Sequence, residues 1–561
     1  MYNNFNYRGG FNHSQGRNQQ RNINKDFFNP YTFVPFAEKV YLLDNKEKAV
    51  LSHDIPFENS LSGSICVDFE SVTPFCVCGE NGNNTNIAGK YFIPGTSIKG
   101  MIRNVFEIIT MSNARNGIAN KRYSMRDLRN SAYELKAANH PQKSGFLVQI
   151  NGKAFIHPCT NEKCSYKEIE RDEGISGLKD CRSVKDKYAK LQSPIVEYED
   201  GSFTMWFFSG FMNNKKHEYL FDIPKAFNNL IPLKENEYQD FIFIHEKENE
   251  NASWKFWKRK LKNYKSVEDI KKDGYRGIVP CFFRTMTDNE GKICVKDLGF
   301  SFLYRQPYQK KVHDFLPSTY NQEGIDMAQS VFGYVEGPES LKGRVQFETS
   351  FIESATEQRA QTFILGSPKP TYYPFYLSQD DPEQLHTYFS NRTYLSGYKR
   401  YLIQKTASPG MIPPSKVTKT FVPLSANTKF VSKIHFHNLR DFELGALIAA
   451  ITFCNQQSSC FHSLGIAKPY GYGKLRVNNI SVSLRDGQKA DDYYQAFISK
   501  LCDKVQLKGE KEYLDSLSYL FKVASGRYDS QKSIRFPQMN DKEFETIKNQ
   551  KLSLSDFSPI I

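Results

Sequence analysis

The chain has 561 residues, with 75 Lys and Arg against 61 Asp and Glu, a net charge of +14. Hydrophobic residues make up 39% and aromatics 14%, which is enough to bury a core and excludes a wholly disordered chain. No run approaches the roughly 18 apolar residues of a membrane span, and the polar start MYNNFNYRGG has no apolar signal stretch. The expectation is a cytoplasmic protein with no membrane partner, and its basic, aromatic-rich balance makes nucleic acid the first partner to consider.

Residues 1–30 are rich in Asn, Gln, Gly and Arg and read as a disordered polar and basic tail. Residues 61–78 alternate apolar and polar, as one or two strands do. A glycine- and asparagine-rich loop follows at 80–90. Tyr91 to Ile93 is a short strand and Pro94-Gly95 a turn, with Thr96 or Ser97 as the N-cap of a helix. Ile98, Met101, Ile102, Val105, Phe106 and Ile109 form its apolar stripe.

The segment 120–327 mixes short strands, charged helices and loops, and reads as an insertion or a second α+β unit. Eleven cysteines, an odd number, argue against a disulfide framework. One group among them has metal-ligand character. His157, Cys159, Cys164 and Cys181 supply the soft four-donor set that structural Zn²⁺ takes, in a stretch too charged to build a core. Cys76-x-Cys78 is a weaker second donor pair. Further on, a proline- and tyrosine-rich stretch precedes the alternating strand TKFVSKIHFHNL and the apolar helix FELGALIAAITFC. Residues 486–561 read as a helical extension and tail.

Two segments carry the chemistry. In Ile93-Pro94-Gly95-Thr96-Ser97-Ile98-Lys99-Gly100-Met101-Ile102-Arg103, a strand and a glycine turn open a helix whose N-terminal N–H groups favour anions. Lys99 and Arg103 are four apart, on one face beside that end. The second segment runs from Gly465 through Lys468, Tyr470, Gly471, Tyr472, Gly473 and Lys474 to Arg476. Its glycines allow positive φ and close backbone approach. Its cations suit phosphates, and its tyrosines suit stacking on unpaired bases. It is neither a Walker loop nor a dinucleotide fingerprint, since it runs into a strand.

IPGTSIKGMIR resembles the "IPGSSLKGxLR" signature of the RAMP superfamily of CRISPR-associated proteins. Val331-Phe332-Gly333 is similar to its "LFG" segment, and Gly343-Arg344-Val345-Gln346-Phe347 to its "GRVxFSDA" strand. Phe442-Glu443-Leu444-Gly445-Ala446-Leu447 is similar to its "ELGxLLAAL" helix, and the 465–476 loop to its glycine-rich loop. The resemblance covers about 60–110 and 328–485, and NPYTFVPF, HDIP and Arg305-Gln306-Pro307-Tyr308 resemble a long-chain type III family.

The resemblance implies an α+β fold: a ferredoxin-like (RRM-like) core in two parts, 31–119 and 328–485, around the 120–327 insertion. It implies a subunit of a type III CRISPR effector that holds guide RNA (crRNA), meets target RNA and binds other effector subunits in antiviral interference. Gly95, Ser97, Lys99, Gly100, Arg103, Gly465, Lys468, Tyr470, Gly471, Tyr472, Gly473, Lys474 and Arg476 are the expected RNA contacts. A thumb-like hairpin falls at 73–92. Relatives that cleave target RNA carry a thumb aspartate and use a divalent metal. The only acid here between Thr73 and Phe92 is Glu80, and the "GRVxFSDA" aspartate position reads Glu348-Thr349-Ser350. Endoribonuclease action on target or repeat RNA therefore stands as an alternative, with Glu80 or a histidine such as His435 or His437 as its candidate group. A structural adaptor without RNA contact is a third reading.

Overall fold

The computed structural model describes residues 27–79, 82–127, 133, 141–211, 215–248, 252–366, 370–379, 385–408, 417–484, 492–528, 532–537 and 543–559. Most of the polar head and Glu80 lie outside them. The chain divides into two compact units. The first comprises Met1–Ala119, Phe315–Thr387 and Arg392–Ile561, and the second Asn120–Asp314 with Tyr388–Asn391.

Six elements form the centre of the first unit, in chain order β1 (Leu61–Ser71), α1 (Gly95–Ile109), β2 (Val345–Phe347), β3 (Lys429–Leu439), α2 (Asp441–Thr452) and β4 (Lys474–Leu484). They give a strand–helix–strand–strand–helix–strand path. The strands lie in the order β2-β3-β1-β4, with the short strand His462–Ser463 at the β4 edge, and every pairing is antiparallel. In β1 the residues Leu61, Ile65, Val67, Phe69 and Ser71 are buried, and the residues between them are half-buried, the two-residue period of a strand with one covered face. In β3, Phe430, Ser432, Ile434 and Phe436 alternate in the same way.

Helix α1 buries Ile98, Ile102, Val105, Phe106 and Ile109 of the stripe, leaves Met101 half-buried, and packs on α2 and β2. Its N-cap is Pro94, not Thr96 or Ser97. Pro94 is the last extended residue (φ −57°, ψ 136°), and its carbonyl accepts the Ser97 N–H at 2.9 Å, so both hydroxyl residues already lie inside the first turn. Strand β1 ends at Ser71 rather than continuing to 78, because the chain then meets Pro74, which has no N–H for a ladder. From there Phe75 and Cys78 make only isolated bridges, to Leu424 and Asn84.

Arg344 and Glu443 are completely buried and ion-paired. Arg344 also donates to the carbonyls of Ser330 and Asn438, and Ser330 Oγ donates to Glu443 at 2.8 Å. The pair ties α2 to the segment entering β2. The C-terminal helix Tyr493–Val505 packs on α2. The final segment is not a loose appendage: Ile547, Leu554 and Phe557 share a core with Phe27, Phe33 and Phe375, and Phe27 stacks on Phe557 at 5.1 Å.

The second unit holds two larger sheets and the two-stranded pair of Arg122–Met125 with Gln306–Lys311. One runs in the order Ile231–Leu233, Lys153–Cys159, Lys143–Ile150, Val279–Thr287 and Ile293–Gly299, with Asn263–Tyr264 parallel beside Lys143–Ile150. The other contains Ile195–Glu197, Phe203–Phe207, His217–Ile223 and Asn161–Ser165. Phe207, Phe221 and Phe282 meet edge to face at centroid distances of 5.5 to 6.0 Å. Among the described residues, no helix of the chain is long and apolar enough to cross a membrane.

Candidate nucleic-acid interface

Both basic segments belong to the first unit. At the α1 start, no side chain caps the first-turn N–H groups, so part of the positive end of the helix is left to other acceptors. Lys99 and Arg103 lie 5.9 and 5.8 Å from the Phe332 ring centroid. Arg103 Nε bonds Glu107 at 2.7 Å. Lys99 has no carboxylate partner among the described residues, and burial together with the Arg103 charge draws its ammonium below its usual range. Ser97 is half-buried. Gly95 is buried because a Cβ there would stand 2.1 Å from the Phe347 carbonyl oxygen. Gly100 differs: it is exposed, and a Cβ there would meet nothing within 4 Å.

In the glycine-rich loop, Gly465, Gly471 and Gly473 have φ near +80°. A Cβ on them would meet the backbone oxygens of Cys76, Lys405 and Leu464 at 2.2, 2.3 and 1.8 Å. The close approach these glycines permit is to the protein's own backbone. Lys474 Nζ lies 3.8 Å and Arg476 Cζ 5.8 Å from the Phe461 ring centroid. Burial and the charge of Arg476 lower the Lys474 pKa, and Arg476 itself is exposed. Lys468 is half-buried and is also lowered, by burial and by Arg400.

The tyrosines do not both present ring faces to a ligand. Tyr472 is only 5% exposed, packed edge-on to Phe363 and Phe421. Tyr470 stacks on Phe363 at 4.2 Å and donates its hydroxyl to the Ile364 carbonyl. Both hold the loop to the ribbon of Gln361–Ile364 and Thr418–Phe421.

The family model of the RAMP superfamily matches residues 68–476, from within β1 to within β4, and so spans both basic segments. The chain belongs to the RAMP superfamily. Two solved structures are similar to it. One is described as a CRISPR RNA-guided surveillance complex, pre-nicking, at 9% identity, with 87% of this chain and 99% of that chain covered and a TM-score of 0.22. The other is Csc2 of Thermofilum pendens, at 11% identity, with 75% and 94% covered and a TM-score of 0.15. No curated protein matches this chain.

In this RAMP-superfamily chain the expected thumb region contains a short hairpin. Asn86–Ile87 pairs with Lys90–Tyr91 around Ala88 and Gly89, both at positive φ, the turn geometry that matches strand twist.

The zinc donors are not assembled. The His157 ring stacks on Phe227 at 4.1 Å and its Nδ1 meets the Pro158 carbonyl. Burial pushes the Cys159 thiol up to about 12. Burial and the acids Glu162, Glu168 and Asp172 push Cys164 up to about 11. Cys181 Sγ lies 3.5 Å from the Gly177 carbonyl oxygen. Among the described residues, no three His, Cys, Asp or Glu side chains gather as a metal site. The four donors close in sequence thus stand in different local surroundings.

His435 and His437 both lie on β3, as their spacing requires. His435 pairs with Glu348, and His437 Nε2 meets the His53 carbonyl at 2.9 Å. Arg400, outside both basic segments, acts on Lys468 as a like charge. In the sequence its signal is the cluster Tyr398-Lys399-Arg400-Tyr401, within a proline- and tyrosine-rich stretch.

Proposed function

We propose that this RAMP-superfamily chain is an RNA-binding subunit of a type III CRISPR effector complex, gripping guide RNA through its phosphates while other subunits and target RNA complete the assembly. One observation carries the reading. Lys99, Lys468 and Lys474 are each partly desolvated, and each is lowered further by a neighbouring cation. Like charges left without carboxylates cost the free protein stability, and an arriving anion removes that cost. A polyanion with regularly spaced charges suits several such sites at once, which a single small anion does not.

The path and order of the central sheet support the ferredoxin-like (RRM-like) reading of the core, with the 120–327 insertion placed between α1 and β2. The hairpin within 73–92 is the segment that this reading assigns as the thumb.

The test is binding of single-stranded RNA by the full chain across a salt series. Replacing Lys99, Lys474 and Arg476 by Glu should weaken binding to all sequences alike and flatten the salt dependence. If the unaltered protein binds no single-stranded RNA at low salt, alone or within its complex, the reading fails.

A further inference from the structure

Arg400 lies on the strand Tyr398–Tyr401, which pairs antiparallel with Tyr31–Val34. Strand alternation sends Arg400 to the face opposite Lys399 and Tyr401. Arg400 Nη1 donates to Asn104 Oδ1 at 2.6 Å. Asn104 follows Arg103 on α1 and stands one turn beyond the exposed Gly100. Arg400 Nε is buried without a hydrogen-bond partner.

The chain just after Arg400 is laid along the glycine-rich loop. Gln404 Nε2 donates to the Pro469 carbonyl at 2.7 Å, the Ala407 N–H donates to the Tyr470 carbonyl at 2.9 Å, and Gly471 lies against the Lys405 carbonyl. These contacts lay the chain that follows Arg400 along the loop that carries Lys468.

Their surroundings contain no compensating acid. Burial draws the Arg400 guanidinium down to about 10, with Tyr528 and Cys460 as the other groups that act on it. Burial and then Arg400 act on Lys468. Among the described residues, no carboxylate pairs with either cation. A buried guanidinium normally has its donors filled and its charge matched. This one has one neutral acceptor and an idle Nε, and its charge reaches Lys468. A guanidinium with free donors on one edge is shaped for the oxygens of a phosphate.

We propose that Arg400 and Lys468 form one phosphate-binding pocket, which takes a single phosphodiester of the bound RNA strand and joins the α1 basic site to the glycine-rich loop. This rests on the RNA reading above. The contrasting role is a structural link, with Arg400 serving only to tie its strand to Asn104.

The two roles predict opposite signs. Arg400→Gln removes an uncompensated charge, so the RNA-free protein should melt at a higher temperature than the unaltered chain; loss of a structural link lowers it. In a salt series with single-stranded RNA, the slope of log affinity against log salt should flatten by about 0.7, the share of one phosphate on a single strand. Inorganic phosphate at matched ionic strength should raise the melting temperature of the unaltered protein more than that of R400Q. Lys468→Gln provides the same slope measurement if R400Q does not fold. An unchanged slope in a variant that still binds RNA overturns the pocket and leaves the RNA reading standing. Absence of RNA binding by the unaltered chain overturns both.

Discussion

Gly100→Ala separates a glycine kept for an approaching strand from one that is merely tolerated. Glycine inside an exposed helix costs about 0.8–1.0 kcal/mol relative to alanine. At Gly100 no packing offsets that cost, since an added Cβ would meet no atom within 4 Å. The substitution should therefore stabilise the RNA-free protein by about 1 kcal/mol, a rise in melting temperature of roughly 2 °C for a unit this large. The same methyl group occupies space beside Lys99 and along the face that carries Asn104. Carbon atoms in contact sit about 3.5–4.0 Å apart, so a sugar–phosphate chain resting on the bare Cα has to move outward. A tenfold loss of affinity is about 1.4 kcal/mol, and a loss of that order is expected. The assay pairs thermal melting of the free protein with fluorescence anisotropy of a labelled single-stranded RNA. A stabilised variant that binds RNA as tightly as before would refute the reasoning about ligand approach, and a destabilised one would refute the open geometry at Gly100.

Glu443→Gln should cost about 3–5 kcal/mol in urea unfolding, because it leaves the fully buried Arg344 charge without its partner; a loss below about 1 kcal/mol contradicts the pairing. Lys399 Nζ lies 3.8 Å from the Tyr31 ring centroid, and burial lowers its pKa from the usual 10.5 to about 8. The unfolded chain then binds more protons between these two values, so this group makes stability rise with pH through that window. Lys399→Met should remove that rise from melting curves taken across it, and an equal rise in the variant rejects the assignment. Cys76 and Cys78 have their sulfurs 2.7 Å apart, and the hydrogen bond between them lowers the Cys78 thiol while raising Cys76. Iodoacetamide at neutral pH should therefore label Cys78 faster in the unaltered protein than in Cys76→Ala, and equal rates would show that the bond does not activate it.

The parts of the fold that local pattern can specify were legible in the sequence. The α1 stripe follows from a 3.6-residue period, and β1 and β3 follow from a two-residue period, because each element has one covered face. The helix cap was misplaced because Thr96 and Ser97 are favoured cap residues, whereas the backbone turns at Pro94. The glycine-rich loop runs into a strand as its sequence predicts, but its glycines have a partner that spacing cannot show: the backbone of Cys76, Lys405 and Leu464. Tyr472 looked available for stacking because the ribbon that buries it, Gln361–Ile364 with Thr418–Phe421, is distant in sequence. The surroundings of the candidate zinc donors are likewise set by tertiary contacts. Neighbouring donors in sequence place His157 against Phe227 and Cys181 at the Gly177 turn.

Net charge gave the first indication of a polyanionic partner, and the structure shows why the total was a blunt one. Arg344 and Arg284 are buried against Glu443 and Asp297, and Lys187 and Lys215 share the buried Glu218. Those cations are matched inside the fold and contribute little field outside it. Arg103 is also matched, by Glu107 four residues on, so its Coulombic contribution to a ligand is smaller than its place in the signature implies. Lys99, Lys468, Lys474 and Arg400 are partly desolvated and lack carboxylate partners among the described residues. Removing one of them should therefore change both RNA affinity and free-protein stability, in opposite directions. Removing Arg103 leaves Glu107 as a new unmatched negative charge, and should weaken RNA binding through repulsion as much as through the lost cation. Arg103→Gln with Glu107→Gln should restore much of the affinity that Arg103→Gln alone removes, because the double change keeps the local charge balance.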